Sequence, residues 1–276
     1  MDKVIGQLGF GGASLSSMRS QGEVMRLLQT AFNLGIRHFD TAPLYGRGYS
    51  ELLFGSFIRN KRKEVTITTK FGLGNCETGK VPPFLALPLN YYKKKIRGQR
   101  QQVVETNHTP QLLVYRKISK QDIEASLSNS IKRLQTDYID YYLLHEGVPS
   151  FLDDEAMSYL LSLKQKGIVL NIGVATDGFN IKMISADDLK SWDVLQYEGG
   201  TVITEELLQL YPGKTHFHHS CIKHINTTQI ADVSETDKAG YVLAKCALKN
   251  NKGEVLFSTR RNAVLRQNIE AYKRFA

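Results

Sequence analysis

The stretch "GIRHFDTAPLYG", residues 35–46, decides how the rest of the chain is read. Ile36, His38 and Phe39 have the look of a short buried strand, and that strand runs straight into an acid, Asp40, with Tyr45 five residues beyond. Burying a charge is costly unless it is paired, so an ionisable group at the tip of a buried strand is there for a partner or a reaction. Upstream, "SQGEVMRLLQTAFNLG" carries Val24, Leu27, Leu28 and Ala31 on one helical face, behind a capping box of Ser20 and Glu23. Gly35 stands where the C-terminal cap of that helix belongs. The local unit is therefore a helix, a tight turn and a buried strand with a polar tip.

The same unit repeats outward in both directions. "QLGFGGASL" is a strand ahead of the first helix; "SELLFGSFIRN" is the helix after strand two; "EVTITTKFG", β-branched and apolar, is strand three and ends at Lys70. After residues 72–118 the alternation resumes with "SKQDIEASLSNSIKRLQ", a helix with Ser119 and Asp122 as a capping box, and "DYIDYYLLHEG", strand four, ending at His145. "DDEAMSYLLSLKQKG" is a helix with acids at its start, "IVLNIGVAT" strand five, "IKMISADDLK" a weak helix and "WDVLQYEG" strand six. "EELLQLY" is a short helix, "THFHHSCI" strand seven, and "SETDKAGYVLAKCALKNN" a helix with a third capping box, Ser234 with Asp237. "GEVLFST" is strand eight and "NAVLRQNIEAYKRF" the last helix.

Eight strand–helix units over about 250 residues imply a (β/α)8 TIM barrel, one domain spanning 1–276. Strands three to five and eight are apolar runs, as parallel strands buried on both faces require. An open doubly wound sheet would want a G-x-G-x-x-G turn after strand one, and "GFGGAS" does not complete it. Residues 72–118, with Pro82, Pro83, Pro88 and Pro110 and weak periodicity, read as an inserted loop after strand three rather than a second domain.

The formal charge of +9 admits a nucleic-acid binder, but much of the excess is local: Lys93, Lys94, Lys95, Arg97 and Arg100, then Arg116 and Lys117. Such a run reads as a solvated loop, or as a binding loop for an anionic substrate or cofactor, rather than a nucleic-acid face. No apolar stretch is long enough to span a membrane, and the start has no secretory h-region. The three cysteines, Cys76, Cys221 and Cys246, are odd in number, far apart and without metal-type or redox-type spacing, which points to reduced thiols in a cytoplasmic protein.

In such barrels chemistry sits at the C-terminal ends of the strands. Those ends supply Asp40, Lys70 and His145, with Tyr45 just past the first. Singly, Asp40 could cap a turn, Lys70 could be a surface lysine, and His145 a satisfied core histidine. Together at one mouth they compose a proton-transfer device. A lysine ammonium beside a tyrosine favours the phenolate, a carboxylate holds the lysine, and a histidine donates to a substrate oxygen.

"GIRHFDTAPLYG…SELLFG", "TITTKFG", "SLSNSIKRLQTDYIDYYLLH" and "STRRNAVLRQN" resemble the aldo-keto reductase family, from about Leu8 to Tyr272. The resemblance implies a barrel, an extended NADPH cofactor, a small carbonyl substrate, no metal, and Asp40, Tyr45, Lys70 and His145 as a catalytic tetrad. It places the adenosine 2′-phosphate and adenine on Ser258, Thr259, Arg260, Gln267 and Asn268, with Gln267 replacing the family's usual Glu, and Gln196 near the nicotinamide carboxamide. Arg261 joins by chemistry: a helix start with two arginines suits a phosphate. Two departures follow. The family's Ser-Asn pair after strand five is Ala175 and Thr176 here, with Thr176 keeping a donor and an acceptor. The tyrosine that stacks on nicotinamide is His219. With little sequence after the last helix, the family's long C-terminal loop is not expected here, and 72–118, with Tyr91, Tyr92 and Tyr115, is expected to shape a pocket for a polar or anionic substrate. Two rivals are a non-catalytic cofactor-binding barrel and a metal-dependent hydrolase using His216, His218, His219 or His224. The oligomeric state is not fixed by the sequence.

Overall fold

The computed structural model describes residues 6–73, 81–100, 117–224, 230, 232–250 and 252–276, and for 93–100 the backbone only. Eight parallel strands close on one another in chain order: β1 (Leu8–Gly11), β2 (His38–Asp40), β3 (Thr66–Phe71), β4 (Ile139–His145), β5 (Val169–Ala175), β6 (Val194–Glu198), β7 (Thr215–His219) and β8 (Gly253–Phe257). The closure is β1 against β8, with Leu8 opposite Val255. This is the (β/α)8 barrel expected from the repeat.

Side chains alternate along each strand, so one set fills the barrel and the other meets the helices. Leu143, Ala175, Val194, Phe217 and Leu256 form an apolar plug inside. Below the mouth, His38 lies against Phe217 and Tyr141, with ring centroids 4.7 and 5.5 Å away. Its two nitrogens meet the hydroxyls of Thr66 and Thr68 at 2.9 and 3.2 Å. Burial lowers its pKa to about 4, so it is a neutral core histidine. The outward set, Phe39, Ile67, Tyr142, Leu144, Ile172 and Val174 among others, forms the larger core with the helices.

The helices are α1 (Gln21–Asn33), α2 (Tyr49–Ile58), α3 (Pro83–Arg100), α4 (Lys120–Leu134), α5 (Asp154–Gln165), α6 (Gly178–Met183), α7 (Ala186–Leu189), α8 (Val202–Leu210), α9 (Lys238–Lys249) and α10 (Asn262–Phe275). Ser20 caps α1 by accepting from the Glu23 amide, and the Ser119–Asp122 box ahead of α4 is reciprocal. The third expected box is not formed. Ser234 instead accepts the Asp237 amide on its carbonyl at 2.8 Å, making a separate turn, and α9 starts only at Lys238. A box not foreseen, Thr201 with Thr204, opens α8. The weak helix after β5 splits into α6 and α7, capped by Asp177 and Ser185.

α2 packs closely on α4 because Gly55 lacks a side chain: a Cβ there would lie 2.3 Å from the Arg133 carbonyl oxygen. The same contact buries an ion pair, Glu51 with Arg133 at 3.1 Å, and Glu51 also accepts from Thr69 at 2.6 Å.

The inserted segment is not simply a loop. α3 continues through Pro88 and packs on α1, α2 and the 3-10 turn Leu15–Ser17, burying Ala86 and Leu87. Tyr49 donates to the Val81 carbonyl at 2.7 Å, tying down its start. Cys76, Tyr115, Arg116 and the side chains of the basic run lie outside the described residues. Among the described residues no helix is long and apolar enough to cross a membrane.

Candidate active site

β2 delivers Asp40 at its last residue, β3 delivers Lys70, and β4 ends on His145. The loop after β2 brings Tyr45 back over them. Gly46 makes that possible: its backbone is left-handed at φ +61, and a Cβ would sit 2.2 Å from the Ser16 Cβ, so only glycine lets the loop dock on the turn Leu15–Ser17. Lys70 Nζ donates to both Asp40 oxygens at 2.8 Å and to the Thr41 carbonyl at 3.0 Å. Lys70 also lies beside Tyr45, its Nζ 5.2 Å from the ring centroid. The Tyr45 ring stands edge-on to His145, centroids 5.9 Å apart at 87°. All four groups line one cavity of about 520 Å³ at the barrel mouth.

Burial pulls the Lys70 ammonium down, but Asp40 and then Tyr45 outweigh it, and the net pKa stands above the ordinary lysine value. Burial pushes the Tyr45 phenol up; Lys70 opposes this without reversing it. The expectation that Lys70 lowers the tyrosine is thus met in direction of effect but not in net result, because desolvation of a phenolate outweighs one nearby cation already shared with Asp40. Tyr45 is protonated at neutral pH. Burial, then Lys70 and His219, lower His145 to about 3, so its imidazole is neutral with one N–H to give.

Gln196 completes the cluster. Its Nε2 donates to Asp40 Oδ2 at 2.9 Å, while its Oε1 is buried without a hydrogen-bond partner. A buried amide oxygen costs free energy unless a donor meets it, so this atom marks where a ligand N–H would be received. His219 and Ser258 line the same cavity. His219 Nδ1 meets Ser220 Oγ at 3.0 Å. Thr176 does not line it: its hydroxyl accepts from Asn180 Nδ2 at 3.2 Å. Arg260 and Arg261 are exposed on the rim where β8 passes into α10. Arg260 reaches Ser17 Oγ at 3.5 Å, and Arg261 donates its amide to Thr259 Oγ1 at 3.2 Å. No side chain caps α10, which leaves its first-turn amides facing outward for an anion. Gln267 is tied to the Thr236 carbonyl, and Asn268 is buried against α9, where a Cβ on Gly240 would lie 2.6 Å from its carbonyl oxygen. Neither lines the cavity.

Sequence reading missed Glu146, Ser220, Cys221, Ile222 and Lys223, all cavity-lining. Glu146 and Ser220 hold left-handed backbone at φ 51 and 57, unusual for residues other than glycine and concentrated at functional sites. The available signal was position: each directly follows a strand end. Burial raises the Glu146 carboxyl, and the neighbouring Glu198 and Asp177 raise it further. Of the histidines of the hydrolase alternative, His219 lines the catalytic cavity, while His216 and His218 are buried against Tyr197. His216 is held by Tyr197 Oη at 2.7 Å and the Tyr211 carbonyl at 2.9 Å. Among the described residues no three His, Cys, Asp or Glu side chains are grouped to hold a metal ion.

The aldo/keto reductase family model matches residues 7–198, more than half of the chain. The chain belongs to the aldo/keto reductase family. The match takes in Asp40, Tyr45, Lys70, His145 and Gln196 and stops before β7, so the arginine rim lies beyond it. An uncharacterized oxidoreductase, YqkF of Bacillus subtilis, is 29% identical over 63% of this chain and 46% of its own. A D-threo-aldose 1-dehydrogenase of a Pseudomonas species is 30% identical over 61% of this chain and 49% of its own. The chain thus spans about half the length of the relatives it matches. An aldo-keto reductase from Klebsiella pneumoniae, solved in complex with NADPH, shares the fold with a TM-score of 0.65 at 17% identity, over 99% of this chain and 90% of that one.

Proposed function

We propose that this barrel reduces an aldehyde or ketone, a sugar or other polar carbonyl, to an alcohol with NADPH. The observation that carries the reading is the Asp40–Lys70–Tyr45 relay, with neutral His145 beside it, facing one cavity. NADPH, when bound, supplies the hydride. The unpartnered Gln196 Oε1 fits the N–H of its carboxamide, and the His219 ring offers a face for the nicotinamide. The uncapped start of α10 with Arg260 and Arg261 fits the 2′-phosphate, since guanidinium groups bind phosphate oxygens in pairs.

The protein's own part is proton handling. His145 donates its N–H to the carbonyl oxygen and fixes the carbonyl in place. Tyr45, protonated at neutral pH, gives its phenolic proton to that oxygen. Lys70 stabilises the phenolate left behind, and Asp40, braced by Gln196, keeps Lys70 aimed at Tyr45. The relative named for aldose chemistry and the solved neighbour holding NADPH support the substrate class and the cofactor.

The test is titration with NADPH and NADH, followed by turnover on a carbonyl panel that includes aldoses. Tight NADPH binding with turnover is expected. Binding without turnover across the panel would favour the second reading, a cofactor-binding barrel. The engagement of Thr176 with Asn180, where the family places a carboxamide anchor, is the observation that favours that reading.

A further inference from the structure

A second cavity, of about 300 Å³, opens between α8, α9 and the 3-10 turn Cys221–His224; its lining includes Thr204, His218, Cys221, Tyr241, Cys246 and Lys249. Two observations set it apart. His218 is 1% exposed, and neither of its ring nitrogens has a partner, so the cavity has a polar, unfilled interior. The two free thiols of Cys221 and Cys246, 25 residues apart in sequence, line this one cavity together. The backbone makes room for them. A Cβ on Gly199 would lie 2.4 Å from Cys221 Sγ, and one on Gly200 would lie 3.7 Å from Cys246 Sγ.

Cys221 also lines the catalytic cavity, with Ser220, Ile222 and Lys223 of the same turn. Ser220 enters that turn with left-handed backbone at φ 57, a conformation kept only while its surroundings hold it. Cys221 therefore belongs to the wall of both cavities.

We propose that Cys221 and Cys246 form a redox-active dithiol that a peroxide closes to a disulfide, and that closure re-shapes the catalytic mouth through the turn Cys221–His224. Two sulfurs that sit beside adjacent glycines, Gly199 and Gly200, in the wall of one cavity form the link by drawing in to about 2.05 Å. Cys246, at 9% exposure against 1% for Cys221, is the sulfur a small oxidant meets first. The neighbouring Cys221, against the opposing pull of burial, and then the nearby Lys249 favour its thiolate, the nucleophilic form. The Cys246 sulfur attacks a peroxide oxygen; the S–O bond forms, the O–O bond breaks, and water leaves with the Cys246 proton. The Cys221 sulfur then attacks the sulfenic sulfur; the S–S bond forms, the S–O bond breaks, and a second water leaves with the Cys221 proton. Two thiols lose two electrons and one peroxide becomes two waters.

The effect on NADPH rests on the proposed function; the disulfide does not. The full chain is treated with hydrogen peroxide, quenched, and mapped by peptide mass spectrometry with and without dithiothreitol. NADPH affinity is read by fluorescence, and hydrogen exchange is followed at residues 219–224. The expected result is an intramolecular Cys221–Cys246 link, reversed by dithiothreitol, with altered exchange at 219–224 and NADPH affinity weakened roughly five-fold or more, the lower end of ordinary coupling between sites. Cys246→Ser and Cys246→Ala should keep the reduced protein's affinity and ignore peroxide. Unmodified thiols, sulfinic acids at these positions, or a link that joins Cys76 would overturn the dithiol. A Cys221–Cys246 link with unchanged exchange at 219–224 would overturn the coupling to the mouth. Failure of the reduced protein to bind NADPH would count against the proposed function alone, since the link and the exchange are read without it.

Discussion

Replacing Asp40 by Asn removes the charge that faces a lysine buried to 2% exposure. In the native protein Lys70 Nζ holds both Asp40 oxygens at 2.8 Å, an attraction of about 6 kcal/mol at an effective dielectric of about 20. Most of that offsets desolvation of the two ions. Breaking one half of such a pair typically costs about 3–5 kcal/mol, because the other charge stays buried and alone. For a chain of this size that corresponds to a fall in Tm of roughly 6–20 °C. The pH dependence is the sharper signature. With Asp40 present, the folded pKa of Lys70 lies above the unfolded one. Its contribution is then complete below the unfolded value and lost only as pH climbs through the folded one, so stability is insensitive to this group between about pH 7 and 9.5. In Asp40→Asn, burial dominates and the folded pKa drops below the unfolded value. The unfolded chain then binds more protons over that range, and stability rises with pH. Urea unfolding followed by far-UV circular dichroism at about pH 7 and 9.5 reads both quantities. A loss below about 1 kcal/mol, with no rise toward alkaline pH, would refute the buried-pair argument.

Further expectations concern other groups. Burial pushes Glu254, on β8, up to about 7, and its Oε2 is buried without a partner. Its raised carboxyl lowers stability as pH rises from about 4.5 to 7, so Glu254→Gln should gain roughly 1–3 kcal/mol at about pH 8 and almost nothing at about pH 4; an equal change at both would exclude the titration. Arg260→Ala should weaken NADPH roughly ten-fold while leaving NADH nearly unchanged, since a charged hydrogen bond contributes about 1.5–3 kcal/mol; parallel losses for both cofactors would remove the 2′-phosphate role. Gly55→Ala should destabilise by roughly 1–3 kcal/mol through overpacking against Arg133, and an unchanged urea midpoint would show that α2 and α4 separate freely.

Strand and helix periodicity made the barrel legible, because eight buried strands and their amphipathic helices each obey one repeat. The strand-end rule then located Asp40, Lys70 and His145, since register carries all three to one mouth. Three things were not legible. α3 contains Pro83 and Pro88 and runs into a lysine-rich stretch, so its helicity depends on docking Ala86 and Leu87 on α1 and α2, which propensity does not report. The Ser234–Asp237 spacing matches a capping box, yet local turn formation used the same residues first. Contacts across long sequence separations were also invisible: the Gln196–Asp40 bond, and the meeting of Cys221 and Cys246 in one cavity wall, which the cysteine spacing had argued against. Gln267 and Asn268 were placed on the cofactor by the resemblance; in the structure Gln267 is tied to Thr236 and Asn268 packs against α9.

The most direct test of the account is single-turnover carbonyl reduction by Tyr45→Phe, with NADPH affinity measured on the same protein. Loss of one phenolic oxygen leaves the Asp40–Lys70–Gln196 cluster and the cofactor rim in place. NADPH affinity should therefore change by less than about two-fold, while the reduction rate falls by roughly 10²–10⁴, the usual worth of a positioned general acid. A Tyr45→Phe protein that reduces the same carbonyl at the native rate would contradict it.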